Sequence, residues 1–280
     1  MAKALAVAPG LVVSTVVTSM VAALLPALAG GGVFVGGLAV TLLLAAGRGE
    51  RAAARLLLLS RPARPEELRL LAPALTLVCR AGLGPPVIEL RVRDGVTSVA
   101  AGGMGRRTVA ISAGLLQAVA DRVLPHQQAA AVIAHAAAIT RGGWVRCDAA
   151  VAFWSLPWQV LQAVTTAVAS VGRRLAMTTF AWRMRAVVIA IAVVLNVQGA
   201  QPILAALVGA LGVLSYAVPH WQRQWDQALL TAGDQALVAA GFAAPWAGFL
   251  RRCPPCPRLR ERLRVLDPVV RPPLGVVTAP

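Results

Sequence analysis

Long stretches without any charged residue alternate with short Arg-rich segments along this chain. The first uncharged stretch, residues 4–47, is too long for one membrane span and long enough for two, since one span takes about 20 residues. Gly30-Gly31-Gly32 lies near its middle and predicts the turn between spans of about residues 11–29 and 33–46. We therefore predict a transmembrane hairpin over residues 1–47, with a cleaved signal peptide as the less favoured alternative.

A second uncharged region covers residues 149–219, broken only around residues 173–185. It predicts two further spans, and two arrangements fit it. One has a span at 149–171 and another after residue 185, which leaves four Arg on the outer face against the positive-inside bias. The other keeps residues 149–172 interfacial or re-entrant and forms a hairpin with arms at 186–197 and 203–218, which are short for a bilayer.

Residues 48–148 carry the mixed pattern of a small soluble domain. Apolar and charged residues alternate over residues 87–93, which predicts a half-buried strand, and Asp94-Gly95 marks a turn. The other predicted elements are helices over 51–60 and 66–80, a strand over 107–111, a helix over 113–122 capped by Ser112, and a helix opened by Pro125.

Composition agrees with a membrane protein, because 58% of the residues are hydrophobic and the mean hydropathy is +0.71. The net charge of +16 comes from Arg residues at the ends of apolar stretches, not from one basic stripe, so no nucleic-acid partner is expected. The expected partners are the lipid bilayer and, as a further candidate, another membrane protein. The positive-inside rule places the chain after the hairpin in the cytoplasm, on the evidence of Arg48, Arg51, Arg55, Arg61 and Arg64.

One candidate motif stands in the Ala-rich helix predicted over residues 129–139. The zinc-protease signature H-E-x-x-H places two His residues one helical turn apart, with a Glu between them as general base. Here His135 fills the first position, but Ala136 stands at the general-base position and Ile139 at the second His. A lone His in such a helix is more often a packed residue than a ligand.

The surrounding residues resemble the M48 metallopeptidases, the membrane proteases of the HtpX and CAAX-prenyl endopeptidase group. Residues 99–116, ending in Gly114-Leu115-Leu116, are similar to the strand–loop–strand that precedes the zinc helix in that family. Pro254-Pro255 followed by residues 258–263 resembles a late family stretch. The M56 peptidases share much of this pattern, so the subfamily stays open.

The resemblance covers most of residues 1–266. It implies a mainly α membrane protein of the bacterial cytoplasmic membrane, with about four transmembrane helices and a small α+β zincin-like cytoplasmic domain. The implied organisation is a transmembrane hairpin (1–47), a zincin-like domain (48–148), a second transmembrane region (149–219), a C-terminal helical part of the peptidase-like domain (220–266) and a disordered tail (267–280).

In this family the third zinc ligand is a Glu after the last span, and an Asp follows four residues later. Arg223-Gln224-Trp225 aligns with that segment and puts Gln224 at the ligand position. A shifted alignment takes Asp234 as the Asp and puts Leu230 at the ligand. Neither alignment leaves a ligand carboxylate, so the only candidate metal ligand is His135, and no catalytic residue and no cofactor are expected.

Three functions fit these residues. The first is a catalytically inactive M48-like protein, a pseudopeptidase with a binding or regulatory role. The second is an active zinc endopeptidase with displaced ligands, and the third is a non-enzymatic membrane partner protein. Cys253 and Cys256 form a C-x-x-C that is half a zinc site or a redox pair, and its role stays open. The candidate displaced ligands are His126, His220, Asp148 and Asp226.

Overall fold

A computed structural model describes residues 2–85, 87–172 and 184–266. The chain divides into two compact units. We call residues 1–41 with 151–227 the helical unit, and residues 42–150 with 228–280 the mixed unit. The predicted disordered tail, residues 267–280, lies outside the described residues.

The N-terminal hairpin consists of helix α1 (Ala2–Ala23) and helix α2 (Ala27–Ala45). Its turn lies at residues 24–26, so the predicted turn at Gly30-Gly31-Gly32 is wrong. Pro26 directly precedes α2, a position where its missing backbone N–H costs no helical hydrogen bond. Glycine, in turn, is well tolerated inside apolar helices. Gly30 instead allows close packing, since a Cβ there would lie 3.0 Å from the carbonyl carbon of Ala22.

The helical unit continues with α7 (Asp148–Trp154), which begins in the mixed unit, and α8 (Leu156–Gly172). Two contacts hold these helices to α1: Trp154 Nε1 donates to Thr15 Oγ1 at 2.9 Å, and the backbone N of Trp158 donates to Ser14 Oγ at 3.2 Å. The indole of Trp158 also packs against α1, since a Cβ at Gly10 would lie 3.0 Å from its Cδ1. Within the described residues α8 covers 17 positions.

Helix α9 (Arg185–Gln198) is followed by the long helix α10 (Pro202–Ala239). They form a helical hairpin. The Cζ atom of Arg185 lies 3.8 Å from the centroid of the Tyr216 ring, and Gly212 leaves room for the side chain of Ile189. The connection at residues 199–201 matches the hairpin arrangement of the two considered for this region. At 38 residues, α10 is about 57 Å long, so only its apolar first half, residues 202–219, is needed to cross a bilayer core of about 30 Å.

Among the described residues, three helices are long and apolar enough to cross a membrane, namely α1, α2 and α10. The structure thus agrees with a mainly helical chain that carries apolar spans. The predicted number of about four is not confirmed within the described ranges, where α8 covers 17 residues and α9 covers 14.

The mixed unit contains a four-stranded sheet. Its strands are β1 (Arg61–Pro62), β2 (Glu89–Arg93), β3 (Ala101–Met104) and β4 (Thr108–Ser112). Their order in the sheet is β1-β2-β4-β3. β2 and β4, the two strands predicted from the sequence, pair in parallel and are not joined as a hairpin. β3 lies between them in sequence and pairs antiparallel with β4 at the sheet edge.

The alternation along β2 predicts a solvent-facing Arg91, yet this residue is buried at 4% exposure. Its guanidinium donates to the hydroxyl and carbonyl oxygens of Ser60 at 3.0 and 2.7 Å, and Glu89 lies 3.5 Å away. The consecutive residues Leu90, Arg91 and Val92 are all buried, so both faces of β2 are covered there and the buried cation requires these partners.

Helices surround this sheet and form the core with it. Local signals set their starts: Pro65 stands at the first turn of one helix, and Ser112 Oγ accepts the backbone N–H of Leu115 at the start of another. The helices of the mixed unit are α3 (Glu50–Leu57), α4 (Pro65–Arg80), α5 (Ala113–Ala120), α6 (His126–Arg141), α11 (Ala243–Leu250) and α12 (Pro257–Leu266).

Candidate functional site

Helix α6 carries His135 through the middle of the mixed-unit core. It is rich in Ala, the best helix former, and its residues 129–137 are all buried. Small side chains allow the β3 strand to lie directly on the helix. A Cβ at Gly103 would contact Thr140 Oγ1 and would lie 3.0 Å from the carbonyl oxygen of Ala136. The Ala-rich pattern is therefore explained by close packing.

His135 is enclosed, with 8% of its surface exposed. Its ring stacks on the indole of Trp246, with centroids 4.9 Å apart and planes inclined by 23°. Its Nε2 lies 3.3 Å from Asp234 Oδ1, although without good hydrogen-bond alignment. On another side Gly233 leaves just enough room for the ring, since a Cβ there would lie 2.7 Å from both Cδ2 and Cε1.

Asp234 is the centre of this group of side chains. Arg262 donates Nε to Oδ2 at 2.8 Å and Nη2 to Oδ1 at 2.7 Å, which is the paired geometry that guanidinium and carboxylate groups favour. Trp246 Nε1 also donates to Oδ1, at 2.8 Å. We call His135, Asp234, Trp246 and Arg262 the His135 cluster; it joins α6 to α10, α11 and α12.

The electrostatics of the His135 cluster favour an ionised carboxylate. Asp234 lies in the mixed unit, beyond the apolar residues 202–219 of α10. Burial raises its pKa, but the hydrogen bonds from Arg262 and the contact with His135 lower it by more, and the pKa falls from 3.8 to about 2. The Asp234 carboxylate is therefore charged at neutral pH and is matched by the Arg262 guanidinium.

The positions that would carry peptidase chemistry hold neither a histidine nor a carboxylate. Ala136 is buried and its carbonyl oxygen accepts the Thr140 hydroxyl at 2.9 Å. Ile139 is half-buried one turn after His135 on α6. Gln224 is exposed in the helical unit, where its Nε2 lies 3.0 Å from His220 Nε2. Asp234, the acid of the shifted alignment, is the residue that the fold brings to His135.

None of the candidate displaced ligands is a member of the His135 cluster. His126 is exposed at the first residue of α6, and Asp148 begins α7. His220 and Asp226 are exposed on the part of α10 that belongs to the helical unit. Within residues 2–85, 87–172 and 184–266, no three His, Cys, Asp or Glu side chains are grouped so that they could hold a metal ion.

The two cysteines of the C-x-x-C segment lie within the connection between α11 and α12. Cys253 is half-buried, its Sγ lies 3.8 Å from the carbonyl oxygen of Phe249, and burial raises the pKa of its thiol. Cys256 is exposed, and the two thiols are not joined in a disulfide. Because the thiolate is the reactive form, a raised pKa makes Cys253 a poor nucleophile at neutral pH.

Trp246 and Arg262 were not predicted as members of a site. A usable signal existed: Asp234 is an acid on a largely apolar helix in a chain with few acids, and such a residue requires a cationic partner. The choice of partner among 27 basic residues depends on the tertiary fold.

No family model, curated protein or solved structure matches this chain. The M48 resemblance therefore stays a prediction from the quoted motifs. The functional argument depends on the fold of the mixed unit and on the geometry of the His135 cluster.

Proposed function

We propose that this protein is a membrane-anchored, M48-like pseudopeptidase whose inactive centre has a binding or regulatory role. The observation that carries the proposal is the approach of Asp234 to His135, 3.3 Å between Oδ1 and Nε2. A zinc-binding histidine almost always places its other ring nitrogen against a carboxylate or a carbonyl. The resemblance expects an Asp four residues after the third ligand, so Asp234 fits this role and Leu230 takes the ligand position.

The chemistry of a metallopeptidase is missing at every other position of that pattern. A catalytic zinc keeps three protein ligands and an open site for water, and a general base takes the proton from that water. Ala136, Ile139 and Leu230 offer neither a lone pair nor a proton acceptor. Loss of a single such group costs orders of magnitude in rate, so the combined loss supports an inert centre.

The contacts around His135 support the same reading. Its ring is stacked on Trp246, Gly233 lies against it, and its Nε2 faces the carboxylate of Asp234. Arg262 supplies the positive charge that balances this carboxylate. The imidazole thus serves to pack α6 against α10 and α11.

Zinc content tests the proposal directly. The wild-type protein, purified in detergent, is expected to hold well under 0.1 equivalents of zinc by elemental analysis, on the order of adventitious metal. Restoring the missing ligands is expected to create a site: the variant Ile139→His with Leu230→Glu should gain about one equivalent of zinc. The matched variant Ile139→His with Gln224→Glu has the same ligand types and should gain none.

Each outcome is informative. About one equivalent of zinc in the wild-type protein would contradict an inactive centre and would favour displaced ligands. Failure of the Leu230 variant to bind zinc, while remaining folded, would contradict the zincin-like arrangement. Zinc bound only by the Gln224 variant would place the third ligand at residue 224, as in the first alignment.

We further propose that the mixed unit faces the cytoplasm of a bacterial cell. The five Arg residues between positions 48 and 64 support this side by the positive-inside rule. Cys256 is exposed in the mixed unit, so its labelling can report which side of the membrane this unit faces. In a variant whose other three cysteines are replaced by Ser, a membrane-impermeant maleimide should label Cys256 in inside-out vesicles and not in intact spheroplasts. Equal labelling from the outside would refute the assigned side.

A further inference from the structure

A pocket of about 450 Å³ lies immediately after helix α2. Ala46, Gly47 and Gly49 form one wall, directly beyond Ala45, the last residue of an apolar helix long enough to cross a membrane. Residues 42–45 of α2 belong to the mixed unit, as does the whole pocket. The pocket therefore opens where the apolar part of the chain ends.

Three guanidinium groups and two carboxylates line this pocket, from Arg51, Arg106, Arg107, Glu50 and Glu89. The carboxylates already have partners in the protein. Glu89 pairs with Arg51 at 3.0 Å, and Glu50 accepts the backbone N–H of Arg106 at 2.8 Å. In the part of the chain that the structure describes, no carboxylate lies within 4.0 Å of the guanidinium of Arg106 or Arg107.

The backbone holds Arg106 beside the end of α2. Gly47 adopts a φ of +83°, and a Cβ at this position would lie 2.9 Å from Arg106 Nε and 3.2 Å from its Cζ. Only glycine combines this backbone conformation with such a close approach. Arg106 and Arg107 lie in the tight turn between β3 and β4. The backbone of this turn is held by two hydrogen bonds, from the N–H of Arg106 to Glu50 at 2.8 Å and from the N–H of Glu89 to the carbonyl oxygen of Arg107 at 2.8 Å.

We propose that this pocket binds the phosphate group of an anionic phospholipid in the leaflet next to the mixed unit. Guanidinium groups bind phosphate oxygens through paired, charge-assisted hydrogen bonds, and Arg106 and Arg107 have this capacity unused. Basic pockets that directly follow a membrane span are well placed for lipid head groups. A zwitterionic lipid is disfavoured, because its quaternary ammonium would enter a pocket with a surplus of positive charge.

This inference is independent of the pseudopeptidase proposal, because it does not involve the His135 cluster. It requires only that α2 crosses the membrane. Loss of lipid binding would leave the zinc experiment unchanged, and the reverse also holds, so the failure of one proposal can be told from the failure of the other.

The test is a titration of the detergent-purified full-length chain, read by native mass spectrometry. The probes are dioctanoyl phosphatidylglycerol, dioctanoyl phosphatidylcholine and inorganic phosphate. The wild-type chain should bind phosphatidylglycerol clearly more tightly than phosphatidylcholine or free phosphate. Arg106→Gln with Arg107→Gln should weaken that binding by about 20-fold, and either single change by about fivefold.

The matched control is Arg69→Gln with Arg80→Gln, which removes two exposed arginines from α4 and makes the same change in net charge. Its affinity should stay within about twofold of wild type. Circular dichroism confirms that each variant is folded, and the single variants keep the test valid if the double variant unfolds. Equal losses in pocket and control variants, or equal binding of both lipids, would overturn the proposal, and tighter binding of free phosphate would overturn the lipid source.

Discussion

Replacing Asp234 by Ala is expected to lower the free energy of unfolding by about 2–4 kcal/mol. The change removes the acceptor for Trp246 Nε1 and for both bonds from Arg262, whose side chain is only 20% exposed. Removal of one member of a fully buried ion pair costs about 3–5 kcal/mol, and the partial exposure of Arg262 reduces that figure. A guanidinium without its carboxylate would then remain among apolar side chains.

Thermal unfolding of the full chain in detergent, followed by circular dichroism, measures this loss. Asp226→Ala is the control, because Asp226 is an exposed acid on the same helix, and it should change stability by no more than about 0.5 kcal/mol. Replacing both Asp234 and Arg262 by Leu should recover much of the loss, since apolar substitution of both partners leaves no unpaired charge. Equal melting of the Asp234 and Asp226 variants would refute a stabilising role for the pair.

The Asp234 carboxylate also makes the stability of the folded protein depend on pH. The pKa of Asp234 is about 2 in the folded protein, against an ordinary value of 3.8. Its contribution to the free energy of unfolding is therefore fully present above about pH 4 and is lost as pH falls towards 2. The difference in melting temperature between wild type and Asp234→Asn should therefore be constant from about pH 7 to 5 and should shrink below about pH 4. A difference that persists unchanged at low pH would contradict this assignment.

Sequence patterns predicted the features that short stretches of chain determine. The helix starts at Pro65, Ser112 and Pro125 follow from proline geometry and from hydroxyl capping, and each depends on residues within one turn. The strands β2 and β4 lie where the sequence predicted strands, β2 from its alternation of apolar and charged residues. His135 was identified as the centre of the candidate site, and Asp234 as the acid of the shifted alignment.

The features that were missed depend on contacts between distant residues. The turn after α1 was placed at the glycines, because glycine is permitted in turns and in close helix packing alike, and the proximity of Gly30 to Ala22 decides between them. The burial of Arg91 follows from the coverage of both faces of β2, which no local pattern specifies. His135 and its partner Asp234 are about a hundred positions apart, so their contact is a property of the whole fold.

Replacing Gly233 by Ala is expected to destabilise the protein by about 1–3 kcal/mol, the usual cost of overpacking a core. The added methyl group would lie 2.7 Å from two carbons of the His135 ring, which is closer than real Cβ contacts allow. The ring cannot move away easily, because Trp246 is stacked on its face at 4.9 Å. The higher helix propensity of Ala, about 0.5–1 kcal/mol, offsets only part of this cost.

A double-mutant cycle with His135→Ala isolates the contact. Without the imidazole, Gly233→Ala should be neutral or slightly stabilising, which gives an interaction energy of about 1–3 kcal/mol between the two positions. Gly36→Ala in α2 is the control, since nothing lies within 4 Å of a Cβ at that position. An equal loss with and without the His135 ring would refute the steric account. A large interaction energy would mean that Gly233 is required by the imidazole itself, as expected if His135 is a packing residue and not a metal ligand.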